Sequence, residues 1–280
     1  MNAYFRLMRL DKPIGIYLLL WPTLWALFLA AEGFPDIKIL AIFVFGTVLM
    51  RSAGCVINDY ADRKIDKLVK RTQHRPITTG EISPKSALTL FAAMMVLALV
   101  LVSLTNVLTM KLAFVAGALA TLYPFTKRWT HLPQFVLGTA FAMSVPMAFA
   151  ASNGNVPDGA WWVFLATLIW TVVYDTMYAM ADREEDLKIG VKSSAILFAK
   201  YDKFIIAVLQ VCLLLVFIQI SKVFHLGVFY DISVVFSAFL MVFHQKLIKN
   251  RKKTACFRAF LHNNFIGMLI FVGIALSFIV

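Results

Sequence analysis

The chain alternates long apolar runs with short charged ones. Nine of the apolar runs approach the roughly 20 residues needed to cross a bilayer. They cover about 14–31, 38–58, 86–105, 107–124, 133–151, 160–181, 204–221, 226–245 and 260–279. Pro22, Gly117, Gly138 and Pro146 interrupt some of them, which membrane helices tolerate when neighbours re-satisfy the backbone. The third and fourth runs are nearly continuous, and a turn near Asn106 is expected to divide them. The pattern predicts an all-α integral membrane protein of nine transmembrane helices, forming one domain over residues 1–280.

Composition excludes the soluble alternative. Residues are 61% hydrophobic and only 15% charged, with mean hydropathy +0.80, far more apolar than a soluble domain. The charges also give an orientation. Lys and Arg number three before the first run, seven between the second and third, two between the fourth and fifth, five between the sixth and seventh, and six between the eighth and ninth. The intervening loops hold only Lys38, Lys111 and Lys222. By the positive-inside rule the N-terminus is cytoplasmic and, after nine spans, the C-terminus periplasmic. The net charge of +12 is then ordinary membrane topology beside an anionic leaflet, and no nucleic-acid-binding motif is present. Cys55, Cys212 and Cys256 have no metal-ligand or CxxC spacing and read as packing residues. With no cleavable signal or transit peptide before the first run, direct insertion into a bacterial inner membrane is expected.

Two acidic clusters carry the chemistry. One runs from Asn58 through Asp59 and Asp62 to Asp66, the other from Asp175 through Asp182 to Asp186. Each begins where an apolar run ends, and carboxylates at a membrane-helix mouth are expensive unless a cation binds them. On a helix Asp59, Asp62 and Asp66 would share a face, as would Asp175, Asp182 and Asp186. Carboxylates at i and i+4 lie about 6 Å apart along the axis and can jointly hold a hard divalent ion. Magnesium prefers one or two carboxylates completed by phosphate oxygens and water, so two facing clusters read as a Mg²⁺–diphosphate site. Asp62–Asp182 and Asp66–Asp186 share an offset of 120 residues. Two parallel four-helix repeats, about 1–130 and 131–250, with a ninth helix at about 260–279, account for that offset. The plain alternative is solvated acids paired with nearby Lys and Arg, which leaves the shared offset unexplained.

Cations complete the pattern. Arg51 lies inside the second run on the face of Asn58 and Asp62. An intramembrane arginine costs on the order of 2.5–3.5 kcal/mol by insertion scales, so a polar cavity is expected to extend below the acidic mouth. Tyr123 and Lys127 stand at i and i+4 if the helix continues through Pro124. Lys127, Arg128, Lys188 and Lys192 are suited to phosphate or carboxylate oxygens, or equally to setting topology from a loop.

At these residues the chain resembles the intramembrane aromatic prenyltransferases of the UbiA superfamily, most of all the bacterial branch acting on 4-hydroxybenzoate. The first family signature, NDxxDxxxD, stands as Asn58 to Asp66, and the second as Tyr174 to Asp186. Arg9 to Gly15, Leu18 to Pro22, Arg51 to Cys55, Tyr123 to Arg128 and Leu187 to Ser193 match as well. Glu184 and Glu185 are a mild departure, and beyond about residue 199 the match is mainly in hydropathy. The resemblance implies a helical bundle around a lipid-open cavity that binds Mg²⁺ and a polyprenyl diphosphate. It implies prenylation of 4-hydroxybenzoate ortho to its hydroxyl, with release of diphosphate, on the way to ubiquinone. Asp62, Asp66, Asp182 and Asp186, supported by Asn58 and Asp175, would hold the metal. Arg9, Tyr123 and Lys127 would grip the diphosphate, and Arg51 or Arg128 the acceptor carboxylate. A related enzyme using homogentisate, dihydroxynaphthoate or haem is the next reading. A secondary transporter is more distant, because its site would sit near the midplane.

Overall fold

Some helices begin at a side-chain cap, and others end at a glycine in the left-handed conformation. The computed structural model describes residues 2–68 and 72–279, and the described residues contain helices but no strand. Lys70 and Arg71, two of the loop cations counted above, lie outside the described residues. A short α1 (Ala3–Leu7) precedes α2 (Ile14–Ala30) and α3 (Ile37–Asp62). After a 3₁₀ turn at Asp66–Leu68 come α4 (Pro76–Thr79), α5 (Pro84–Ser103), α6 (Val107–Thr126), α7 (Pro133–Ala142) and α8 (Ser144–Asn153). The second half holds α9 (Asp158–Ile189), α10 (Ser194–Phe198), α11 (Asp202–Val223), α12 (Val228–Ile248) and α13 (Lys253–Ser277).

Eight of these units are long and apolar enough to cross a membrane, counting α7–α8 and α10–α11 as one each. The first expected span forms the shorter α2, of 17 residues, which reaches about 25 Å at the helical rise. Asn106 does divide the third and fourth runs. Its side chain accepts from Thr109 N–H at 2.9 Å, capping α6, and its amide donates to the Ala150 carbonyl at 2.5 Å, fastening that turn to α8. Asp36 caps α3 through Lys38 and Ile39 N–H. Gly190, at φ 71, ends α9 in the left-handed conformation that glycine adopts without penalty.

α9 is the hub, packed on α7, α11 and α13. Inside a bilayer, packing and interhelical hydrogen bonds hold helices together, because lipid is as apolar as a side chain. Trp25 on α2 donates to the Gly267 carbonyl of α13 at 2.9 Å, and Trp21 to Asn264 at 2.8 Å. Trp170 on α9 reaches Asn263 at 3.3 Å. Trp25 and Trp170 therefore bury their rings, and Trp21 half-buries its own, while all three satisfy their N–H groups. By contrast α5 and α6 present Val96, Leu97, Val100, Phe114 and Val115 outward, the surface a lipid-facing helix needs. The acidic ends of the two halves also differ. α3 stops at Asp62, whereas α9 continues past Asp182 to Ile189.

Candidate active site

That difference shapes the first acidic cluster. Asp66 does not extend the helical face of Asp59 and Asp62, because the chain leaves the helix at Arg63 and re-enters a 3₁₀ turn. Asp59, 1% exposed, turns into the protein. It accepts from Arg9 at 3.0 and 3.3 Å and pairs with Arg75 at 3.0 Å. Arg75 also donates to Asp66 at 2.8 Å. Arg9, Asp59, Arg75 and Asp66 thus form a chain of alternating charge that ties the turn between α1 and α2 to the end of α3 and the loop before α4. Burial, opposed by Arg75 but reinforced by Asp59 and Asp62, pushes the Asp66 carboxyl up to about 6.

Asp62 and Asn58 face elsewhere. Lys127, just past α6, donates to Asn58 Oδ1 at 3.1 Å and to Asp62 Oδ2 at 3.2 Å. Helix α6 runs through Pro124 to Thr126, so Lys127 lies over Tyr123, 5.7 Å from the ring centroid. Burial works against its charge, but Asp62 and Tyr123 outweigh it and raise the pKa. Asp175, Asp182 and Asp186 lie along the unbroken α9 and line the same cavity as Asn58, Asp62 and Asp66. Gln134 on α7 lines the cavity with Asp175 and accepts from Ser194 N–H at 2.9 Å.

The cavity has a volume of about 1330 Å³. Below the acidic mouth it reaches Arg51, Tyr174 and Tyr178, and then apolar walls from α2, α3, α5 and α6. Arg51 makes no hydrogen bond or ion pair with the described residues, and its neighbours are Tyr123, Tyr174, Tyr178 and Cys55. Val96, Leu99 and Phe114 line the cavity and are also exposed on the outer surface, so its apolar end meets the lipid-facing side. Among the described residues no three His, Cys, Asp or Glu converge tightly enough to cage a metal alone. The two acidic clusters offer oxygen donors, which suit Mg²⁺ completed by phosphate oxygens and water.

A profile of the UbiA prenyltransferase family matches residues 19–269. The chain belongs to the UbiA prenyltransferase family. It is 67% identical over 270 residues to the 4-hydroxybenzoate octaprenyltransferase of Vesicomyosocius okutanii subsp. Calyptogena okutanii, covering 96% of this chain and 99% of that one. It is 57% identical to the enzyme of the same name from Saccharophagus degradans, over 97% and 91% of the two chains. Among solved structures, the apo UbiA homolog from Aeropyrum pernix K1 superposes with a TM-score of 0.82 at 24% identity, over 94% of this chain and 97% of that one. The UbiA homolog from Archaeoglobus fulgidus bound to GPP and Mg²⁺ gives 0.75 at 16% identity over the whole of both chains. The two structures establish the UbiA fold.

Within that fold most of the expected residues converge. Asn58, Asp62, Asp66, Asp175, Asp182, Asp186, Arg9, Arg51, Tyr123, Lys127 and Lys192 all line the cavity. Lys192 donates to the Trp129 carbonyl at 3.2 Å and its N–H to the Lys127 carbonyl at 3.1 Å, binding the loop after α9 to the end of α6. Arg128 and Lys188 do not line it. Arg128 points back to the Ala61 carbonyl at 2.9 Å, and Lys188 is exposed. Arg75 and Gln134 were missed as site residues. Arg75 read as one loop cation among seven, and Gln134 follows a proline at the start of an apolar run, with no charge to mark it.

Proposed function

We propose that this protein transfers a polyprenyl group from polyprenyl diphosphate to 4-hydroxybenzoate, at the ring carbon ortho to the hydroxyl, releasing diphosphate in ubiquinone biosynthesis. The observation that carries the reading is one cavity holding two acidic clusters and Lys127 at its mouth, an arginine below them that pairs with none of the described residues, and apolar walls open to lipid. The names of its close UbiA relatives support the acceptor and an octaprenyl donor.

On this reading Asn58, Asp62, Asp66, Asp175, Asp182 and Asp186 hold Mg²⁺ together with the diphosphate. Bound there, Mg²⁺ neutralises charge on the departing diphosphate. Lys127 turns its ammonium to the diphosphate oxygens, with Arg9 and Tyr123 beside it, so that the allylic C–O bond breaks toward fixed positive charge. Arg51 takes the carboxylate of the aromatic acid, and Arg128 is set aside because it lies off the cavity. The ring carbon attacks the allylic carbon, a C–C bond forms, and the ring proton then leaves. Tyr174, Tyr178 and the apolar walls keep water from the allylic cation. The prenyl tail runs between α5 and α6 into the bilayer.

The same reading makes α2 the first of nine membrane passages, its 17 residues falling at the short end of spanning lengths. It places the N-terminus in the cytoplasm of a bacterium and the C-terminus in the periplasm, with the chain one domain built on two related halves. The test is an assay of membranes containing the protein with radiolabelled 4-hydroxybenzoate, polyprenyl diphosphate and Mg²⁺, with an EDTA control. Label should pass into the lipid phase only with metal present. Transfer to another aromatic but not to this acid would replace the acceptor, and no transfer to any acceptor would overturn the reaction.

A further inference from the structure

Gly15 stands in the first turn of α2, across the cavity from α3. A Cβ at that position would lie 2.1 Å from Arg51 Nε, 2.4 Å from Nη2 and 2.6 Å from Cζ. The guanidinium therefore rests directly on the Gly15 backbone, in space that any other residue would fill. No hydrogen bond or ion pair with a described residue fixes that guanidinium. Its lodging against Gly15 is a steric constraint on where its positive charge sits.

We infer that Gly15 is a positioning residue for the aromatic acceptor: its missing side chain leaves the slot that sets the Arg51 guanidinium, and with it the depth at which the acceptor's carboxylate docks. This rests on the proposal that Arg51 holds that carboxylate. A guanidinium shifted by a methyl group would hold the carboxylate elsewhere and carry the ortho carbon away from the allylic carbon, a displacement to which transfer reactions are sensitive. The obstructing atoms are the far end of a flexible side chain, so Gly15→Ala should fold by moving Arg51 aside.

The experiment compares 4-hydroxybenzoate with its neutral amide, 4-hydroxybenzamide, as acceptors for the wild type, Gly15→Ala, Arg51→Lys and the double variant. Gly15→Ala should raise KM for the acid by at least about tenfold, the scale of a displaced charge-assisted hydrogen bond. KM for the polyprenyl diphosphate and turnover of the amide should stay within about threefold. In the Arg51→Lys background the same change should alter the acid-over-amide preference by less than about threefold, because the crowding guanidinium is gone. Equal effects of Gly15→Ala in both backgrounds, or parallel losses with acid and amide, would overturn the role of Gly15. A Gly15→Ala protein that fails to fold and is not restored by Arg51→Lys would overturn it too. Arg51→Gln separates the two ideas. If it leaves the preference for the acid intact, the carboxylate reading falls and Gly15 falls with it. If it erases that preference while Gly15→Ala does not change it, only the Gly15 inference is lost.

Discussion

Asp59 and Asp62 stand three residues apart in one motif, yet the structure gives them different work, and Asp59→Asn measures the difference. Asp59 is 1% exposed and joins Arg9 and Arg75 at 3.0 Å each. Asparagine keeps the shape and one acceptor oxygen but weakens the charged contact to each of the two arginines. Each falls by about 1 kcal/mol. Arg75 keeps Asp66 at 2.8 Å, and Arg9, 26% exposed, can turn to water, so little uncompensated charge is added. The loss is therefore about 2–3 kcal/mol. At roughly 2–4 °C per kcal/mol for a chain approaching this size, Tm should fall by roughly 5–10 °C. Asp62→Asn leaves Lys127 its 3.1 Å contact to Asn58 and should cost less than about 1 kcal/mol, while removing a carboxylate of the proposed metal site. Thermal unfolding in detergent, followed by exposure of the buried Cys55 and Cys256 thiols to a thiol dye in a Cys212→Ser background, reads the stability. Prenyl transfer reads the activity. Asp59→Asn should be the less stable protein with measurable turnover, and Asp62→Asn the more stable one without it. The reverse order would refute the division of the cluster into a counter-ion and a metal ligand.

Four further outcomes are expected. Asp182→Asn should abolish prenyl transfer as EDTA does while leaving Tm within about 3 °C, checked by the same two assays. Lys127→Ala should raise KM for the polyprenyl diphosphate about 10- to 100-fold, the worth of a hydrogen bond to a charged group. Arg128→Ala and Lys188→Ala should each change it less than about threefold, since neither lines the cavity. Asp202, fully buried, accepts from Arg183 at 2.6 Å and Arg251 at 2.7 Å, so Asp202→Ala should destabilise by about 3–5 kcal/mol, against less than about 1 kcal/mol for breaking the exposed Lys253–Glu185 pair.

Periodicity located nearly everything that is helical. The apolar runs became helices with ends displaced by a few residues, because hydropathy marks where lipid contact stops while caps mark where the backbone stops. Asn106, Asp36 and Gly190 are such markers, and of these only Asn106 lies at a boundary that hydropathy left open. Helical arithmetic then succeeded on α9, where Asp175, Asp182 and Asp186 ride one continuous helix. It failed at Asp66, since helix geometry cannot be counted past the end of a helix, and nothing local in Arg63-Lys-Ile-Asp66 announces that end. Arg75 was invisible for a related reason. Its partners are fixed by a loop returning over the end of α3, a long-range event that leaves no spacing in the sequence. The same holds for Gly15, whose contact with Arg51 joins two helices 36 positions apart in the chain.

The placement of charge explains why ion and diphosphate should need each other. In the first cluster Arg9 and Arg75 already answer Asp59 and Asp66, and Lys127 answers Asp62. The second cluster adds Asp175, Asp182 and Asp186 to the same mouth. A diphosphate entering alone would meet these carboxylates with like charge at short range and reduced dielectric, where repulsion is strongest. Among the described residues no three acidic side chains stand close enough to complete a divalent ion's shell without further ligands. On the proposed reading the ion would offset charge on both the acids and the diphosphate, and the phosphate oxygens would complete its shell. Lys127, on that reading, would turn from Asp62 to the diphosphate, and its charge would then stabilise the leaving group. A mouth of oxygen donors that shares its ion with the diphosphate, as proposed, would tie the ion to the substrate that needs it.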